Sequence, residues 1–555
     1  MLEPRDAWDK IEFRHDRPEK DVEVLRGARL TSSNLSAGKR ELFAKLLKQK
    51  GIDSSRVEPI PPGDRSGPLP LTANQLGLWF IDQLDPGQAN YSIPGAVRLK
   101  GLLDAAALER SLGEIVRRHE SLRTSFPADA AGVPRLAIAP PPPLPLPMTD
   151  LRGLPPDGRE AEALRLATEE ACRPFDLTRG PLFRAFLVRL AEDEHVLVLN
   201  VHHIVADGWS MGVFTRELAV LYGAFRAGGG SPLPELPIQV ADVALWEREW
   251  MKGPEAAVRL AYWKERLAPP VPVLKLATDR PRPPAQSMRG AHHPVTFTGP
   301  LSEELRALSR KEGVTLYIAL LAAFAVLLQQ ETGEQDLVVG TGIANRERRE
   351  LEGLIGYFVT VLPLRLDLSG NPTFRELLGR ARGVALGATT RPLPLPTLVR
   401  EFAPERDASR NPLFQVELTL LTPDQNPAVY GYGLSQVRES LTLPGLTVET
   451  LDVEGGVARF DMSIFIWDMP DALAGAVEYC TDLFETATIA RLVERFESLL
   501  RRVVAHPEVR LDTLNEQLRG LGERRAADEA TQLAEAAQRR LKTARRRPVA
   551  IDGAS

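Results

Sequence analysis

Apolar positions along this chain switch repeatedly between the spacing of a strand and that of a helix. The stretch HVLVLNVHHIV, from His195 to Val205, is an almost unbroken apolar run rich in β-branched residues, the pattern of a buried central strand. It gives way to VFTRELAVLYGAF, in which Phe214, Leu218, Leu221 and Tyr222 recur at helical spacing. The residues between them, HHIVADGWSMG from His202 to Gly212, therefore lie on a strand-to-helix turn. Further helices are predicted around Ala105 to His119, Glu160 to Cys172, Leu301 to Glu312 and Tyr317 to Glu331, and strands over Asp336 to Gly342 and Phe358 to Leu366. A Pro-rich stretch from Pro269 to Pro284 divides this body into two parts of comparable size. The pattern predicts a two-lobed α/β body with the functional site in the cleft between lobes.

Outside the body the pattern weakens. Residues 1 to about 30 are charged and poorly patterned, and Ser36 opens one amphipathic helix whose stripe is Leu42, Phe43, Leu46 and Leu47, ended by Gly51. The Pro- and Gly-rich run from Val57 to Pro70 reads as a linker. The expected division is an arm over 1–66, a first lobe over 67–268, a second over 269–506 and a helical, basic-ended tail over 507–555 that either trails in solvent or docks an acidic partner. Composition narrows the function. A net charge of -5 gives no general pull toward nucleic acid, and the two cysteines, Cys172 and Cys480, form neither a disulfide framework nor a zinc-ligand spacing. A charged start and the lack of a long apolar run predict neither secretion nor membrane insertion, so a cytoplasmic protein is expected.

The strand-to-helix turn carries two candidate chemistries. His202 and His203 are neighbours on a strand, so their side chains point to opposite faces and are poorly placed to share a metal ion. One imidazole can then face a channel and handle the proton of an incoming amine or hydroxyl, while the other packs and holds the turn. Asp207 enters an apolar segment and calls for a cationic partner elsewhere in the chain, and Gly208 permits close approach of a substrate arm. The other chemistry is a serine elbow, because Gly208 to Gly212 fits G-x-S-x-G with Ser210 as nucleophile. Its histidine would have to be His292, His293 or His506.

The turn resembles the HHxxxDG motif of condensation domains of nonribosomal peptide synthetases, here His202, His203, Asp207 and Gly208. Further stretches match that family in order: LTANQLGLWFIDQLDPGQANYSIP from Leu71, RRHESLRTSF from Arg117, RPFDLTRGPLFRAFLVRL from Arg173, IGYFVTVLPLR from Ile355, RDASRNPLFQV from Arg406, and FDMSIFIWD with VEYCTDLF near the end. The resemblance spans about Leu71 to His506 and implies two lobes similar to chloramphenicol acetyltransferase, forming a V-shaped pseudo-dimer with a central tunnel. It implies that His203 is the catalytic histidine, that His202 is structural, that Asp207 pairs with Arg365, and that Trp209, Ser210, Gly77 and Thr360 line the tunnel. No metal or bound cofactor is implied. Substrates would arrive on phosphopantetheine arms of carrier proteins or other synthetase modules, and an acyl or aminoacyl thioester would be joined to an amine or hydroxyl, giving an amide or ester. A small-molecule acceptor fits the same scheme, and the chain is expected to act as a free-standing enzyme.

This sequence also departs from the family. Gly77 replaces an arginine, Val240 and Val243 replace aromatics, Thr360-Val361 replaces Asn-Thr, and RPLPLPTLV from Arg391 is a degenerate motif. These departures keep open a second reading, a condensation-like domain of weak activity that recruits a tailoring enzyme to a loaded carrier protein.

Overall fold

The apolar run around His195 becomes the middle strand of a five-stranded sheet, and it is apolar because both of its faces are covered. The computed structural model describes residues 59–403, 407–421, 442–453, 455–517 and 520. The first part of the chain supplies α1 (Ala73–Leu84), β1 (Ser92–Lys100), α2 (Ala105–Arg118), β2 (Thr124–Ser125), β3 (Ala137–Ile138), β4 (Met148–Asp150), α3 (Pro156–Ala171), β5 (Phe183–Ala191), β6 (Glu194–His202), α4 (Gly208–Arg226), α5 (Val240–Trp250) and α6 (Pro254–Arg266). The second part supplies β7 (Gly290–Phe297), α7 (Gly299–Lys311), α8 (Leu316–Thr332), β8 (Asp336–Ile343), β9 (Thr360–Asp367), α9 (Phe374–Thr389), α10 (Leu395–Phe402), β10 (Val416–Leu421), β11 (Thr447–Leu451), β12 (Met462–Asp468), β13 (Leu473–Cys480) and α11 (Thr486–Ala505).

The first sheet has the order β11-β1-β6-β5-β4. Leu197, Leu199 and Val201 of β6 join a core built from α2 and α4, while Val196 and Val198 pack with Ala163, Ala167 and Ala171 of α3. The second sheet has the order β7-β13-β12-β10-β8-β9. Its main core surrounds α8, a helix buried over nearly its whole length and accordingly apolar all round. Two sheet-and-helix lobes result, in a mixed α/β fold.

The lobes do not divide the chain where the sequence suggests. β11, from the second half, adds to the edge of the first sheet by pairing antiparallel with β1 from Ala96↔Leu451 to Lys100↔Thr447. Trp263 and Leu267, in and just after α6, bury in the second core, and Trp263 Nε1–H donates to the Arg391 carbonyl at 2.8 Å, so the second lobe begins before residue 269. Residues 60–66 are not a free linker, because Ile60 is buried against Val240 and Phe358 and Arg65 pairs with Asp242. Leu511 and Leu514 likewise belong to the second core, so the body continues past His506. The helix expected from Ser36 and the tail beyond residue 520 lie outside the described residues.

Among the described residues no single helix is long and apolar enough to cross a membrane.

Candidate active site at the histidine turn

His202 is the last residue of β6, and its neighbour opens the turn. The backbone N–H of His202 donates to Leu182 O at 2.9 Å and that of His203 to Tyr91 O at 2.7 Å, anchoring the pair to two different segments. The rings then take opposite tautomers. Ile204 N–H donates to His202 Nδ1 at 3.1 Å, which leaves the His202 proton on Nε2. His203 Nδ1 lies 2.9 Å from Ala206 O, and a carbonyl only accepts, so Nδ1 carries the proton and Nε2 presents its lone pair. His202 is buried edge-on to Phe175, whereas the half-buried His203 ring meets Tyr357 edge-on at 5.0 Å between centroids. His202 is thus the packed member of the pair, with a protonated Nε2, and His203 the more exposed one, whose Nε2 offers a lone pair.

Both rings are held neutral. Burial, followed by the nearby Arg459 charge, lowers His203 from 6.5 to about 4, and burial with the neighbouring His203 lowers His202 to about 3. Between pH 6.5 and these values the unfolded chain binds protons that the folded chain refuses, so stability is complete above pH 6.5 and is lost as the pH falls toward 4. Thermal unfolding followed from pH 8 to pH 4 should show a falling midpoint over that window, and His203→Ala should flatten part of the slope. An unchanged slope in the variant would place the acid sensitivity elsewhere.

Asp207 caps α4 and is the hub of the turn. Its Oδ1 accepts from Ser210 N–H at 2.8 Å and from Arg346 Nη2 at 3.0 Å and lies 2.7 Å from Ser210 Oγ, while Oδ2 accepts from the Phe358 and Val359 N–H groups at 3.0 and 3.2 Å. Burial alone would raise this carboxyl, but the Arg346 charge and these donors hold it below its ordinary range. The cation that balances Asp207 is therefore Arg346 and not Arg365. Arg365 instead pairs with Asp336 at 2.7 Å in a partly exposed position and reaches the Ala268 and Pro270 carbonyls. Strand alternation explains the difference: Leu362, Leu364 and Leu366 fill the core, which turns Arg365 to the other face of β9.

Arg346 does more than neutralise. Its guanidinium stacks 4.4 Å from the Phe358 ring centroid and donates to the Leu351 and Leu354 carbonyls, the latter at 2.7 Å. The same loop is gripped from the first lobe. Ile355 N–H donates to His119 Nδ1 at 3.2 Å, Ser121 Oγ donates to Ile355 O at 2.7 Å, and Trp209 Nε1 donates to Glu352 O at 2.9 Å. His119 is in turn held by Glu217, 3.0 Å from its Nε2. This clamp brings Tyr357 against the His203 ring.

Ser210 is not a nucleophile. Its side chain is fully buried, and its Oγ meets Asp207 Oδ1, Gly356 O, Arg346 Nη2 and Gly356 N at 2.7 to 3.0 Å, which exhausts one proton and two lone pairs. None of these partners is a histidine, and His292 lies beside Glu478 on β7 and β13. The serine-hydrolase reading is thereby excluded, and Ser210 is a buried residue of the first turn of α4, bonded to the Asp207 cap, with no side-chain surface left to line a tunnel.

Two further residues of that expected wall both meet α10. A Cβ built on Gly77 would sit 2.5 Å from Pro396 Cγ, so Gly77 is the place where α1 meets α10, and the Thr360 hydroxyl accepts Leu395 N–H at 3.2 Å. The departures at Gly77, at Thr360 and after Arg391 therefore converge on one junction at the start of α10. Gly77→Ala is expected to cost about 1–3 kcal/mol through overpacking, with most of the loss recovered in Gly77→Ala/Pro396→Ala. Denaturant unfolding of the two single variants and the double variant tests this, and simple additivity would contradict it. Gly208 is the first residue of α4, and Trp209, half-buried, is tied to the loop through its indole N–H.

Sequence reasoning missed Arg346, Tyr357 and the His119–Glu217 pair as parts of the site. Among the described residues no group of three or more His, Cys, Asp or Glu side chains is placed to hold a metal ion.

A two-lobed α/β body in which His203 follows the central strand β6 and meets Tyr357 from the second part of the chain has a chloramphenicol-acetyltransferase-like fold. The Condensation domain family model matches residues 65–517, and the chain belongs to that family. It is similar to Chondramide synthase cmdD of Chondromyces crocatus, 45% identical over 460 residues that make up 82% of this chain and 11% of that protein. Among solved structures it resembles the X-domain in a complex of the X-domain and OxyB from teicoplanin biosynthesis (TM-score 0.72, 30% identity, 82% of this chain and 98% of that chain). It also resembles the SgcC5 protein of Streptomyces globisporus (TM-score 0.65, 32% identity, 80% and 100%). The chain is a condensation domain of nonribosomal peptide synthetase type, and it spans only a small fraction of the length of synthetases such as the chondramide enzyme.

Proposed function

We propose that this chain transfers an acyl or aminoacyl group from a carrier-protein phosphopantetheine thioester to an amine or hydroxyl acceptor, with His203 as the catalytic residue. The observation that carries this reading is the His203 tautomer: Nδ1–H is committed to Ala206 O, and Nε2 is a free, neutral acceptor. In the step itself the acceptor nitrogen forms a bond to the thioester carbon, the carbon–sulfur bond breaks, and the acceptor proton goes to the departing thiolate. A ring whose conjugate acid titrates near 4 removes little proton from a neutral amine. Nε2 therefore works mainly by holding the acceptor N–H in line and taking the proton once bond formation has made the nitrogen acidic. Asp207, Gly208 and Arg346 act as positioning residues for that turn, and His202 is structural.

The likeness to a domain in complex with OxyB supports a second reading, recruitment of another enzyme to a loaded carrier protein. Incubation with an acyl-loaded carrier protein and a panel of amines and alcohols, followed by mass spectrometry of protein and products, separates the two. Condensation predicts product that His203→Ala eliminates while carrier binding is kept. Recruitment predicts carrier binding without His203-dependent product.

A further inference from the structure

The second sheet has one apolar face, filled by the core around α8, and its opposite face carries ionisable groups that the histidine turn does not use. Register places His292, Glu478, Ser463 and Glu417 side by side on four adjacent strands, through the pairs Glu478↔His292, Ser463↔Glu478 and Glu417↔Ser463. Directly paired residues point to the same side of a sheet, so these four form one row. The flanking residues Leu418, Ile464 and Val477 turn the other way, into the core.

The row runs toward His203. Arg459 N–H donates to Glu478 Oε1 at 3.0 Å, and its guanidinium lies 3.7 Å from Oε2 and 5.5 Å from the centroid of the Tyr91 ring. Tyr91 is the residue whose carbonyl holds His203 N–H. Tyr357, edge-on to His203, is close enough for its hydroxyl to be pushed up by burial and by surrounding groups that include Tyr91, Asp207 and Glu417.

Glu478 thus has a guanidinium, but Glu417 has no cation within ion-pair distance among the described residues. Glu417 is 6% exposed, and among the described residues its carboxyl accepts from Thr419 Oγ1 at 2.9 Å, with the Ser463 hydroxyl as a weaker, more distant neighbour. The threonine oxygen also accepts Gly342 N–H at 3.0 Å, and its one proton goes to the ionised carboxylate. Gly342 also keeps the carboxyl uncrowded, since a Cβ there would lie 3.2 Å from Glu417 Oε1. Beside it Ser463 is 1% exposed, and among the described residues its Oγ has no partner at ordinary hydrogen-bond length, although its hydroxyl lies near enough to Glu417 to help lower that carboxyl's affinity for its proton. Burial dominates that carboxyl and raises it to about 7. A buried carboxyl without a counter-ion next to a buried hydroxyl without a partner is unfavourable for folding alone. A protonated amine satisfies both, by pairing with the carboxylate and donating to the hydroxyl oxygen.

We propose that this row is a subsite for a second, non-reacting cationic group of the substrate, a primary ammonium, with Glu417 as its counter-charge and Ser463 Oγ as its hydrogen-bond acceptor. The inference rests on His203 marking the reaction centre and adds the class of substrate that reaches it.

Calorimetry on the full chain carrying His203→Ala, titrated with the pantetheine amides of lysine and of norleucine, reads binding apart from turnover. The lysyl amide is expected to bind about tenfold or more tightly than its neutral counterpart, and Glu417→Gln is expected to bring the ratio close to one. Nα-acetylated forms of both amides, run in parallel, show whether the cation arrives on the donor or the acceptor. A ratio near one for both forms, no measurable lysyl binding, or a preference that survives Glu417→Gln overturns the proposal. Glu417→Met is the second variant; it should lose the same preference while unfolding at no lower temperature, because it replaces a buried acid with an apolar side chain. Absence of turnover in the unsubstituted protein would strike the acyl-transfer reading and leave this binding ratio intact.

Discussion

Arg346→Ala should destabilise the protein by about 3–5 kcal/mol, the usual cost of stranding one member of a buried ion pair. Both side chains are 1% exposed, so water cannot replace the lost guanidinium at Asp207. The loss extends beyond the pair, because the Leu351 and Leu354 carbonyls give up their donor and the Phe358 ring its stacked cation. Activity should fall with stability, since the loop that presents Tyr357 to His203 is held through these contacts. Arg346→Lys should rescue little, because an ammonium has no planar fork with which to bridge a carboxylate and two carbonyls. Arg365→Ala is the control: its partner Asp336 is 46% exposed, and a surface pair of this kind is worth about 1 kcal/mol or less. Denaturant midpoints of the three variants decide the matter, and an Arg365→Ala loss equal to that of Arg346→Ala would contradict the assignment.

His203→Ala should lower the rate of condensation by about a hundredfold to ten-thousandfold, the range over which a positioned acid or base acts. It should leave the fold in place, because the ring makes a single side-chain hydrogen bond, to Ala206 O. The corresponding change at His202 acts differently. His202 is 5% exposed and accepts Ile204 N–H, so His202→Ala opens a cavity at the strand end and loosens the turn. Its activity loss should be accompanied by a loss of stability, whereas that of His203→Ala should not.

The parts of this fold governed by local period were legible in the sequence. The β6 run, the helix that follows it, the apolar α8 and the turn between His202 and Gly212 all declare themselves through spacing and side-chain type. So did the need of Asp207 for a cation. Its identity was not legible, because an ion pair 139 residues apart leaves no mark on spacing and several arginines precede and follow β9. Asn345, in the left-handed region at φ 53, turns the chain immediately before Arg346, and nothing short of the folded loop shows where that turn sends the next side chain. The return of β11 to the first sheet was hidden for a related reason. It is a five-residue edge strand with no buried residue, and its partner β1 lies some 350 positions earlier. Ser210 shows the converse, a local pattern that matched a hydrolase elbow while the tertiary contacts had already committed every bond its hydroxyl can make.

The most direct test is single-turnover condensation on an acyl-loaded carrier protein with saturating acceptor, measured for the unsubstituted protein and for His203→Ala after both are shown to bind the carrier equally. With His203 as the catalytic residue, the first forms product and the second is slower by at least about a hundredfold. Equal rates from the two proteins would contradict that role.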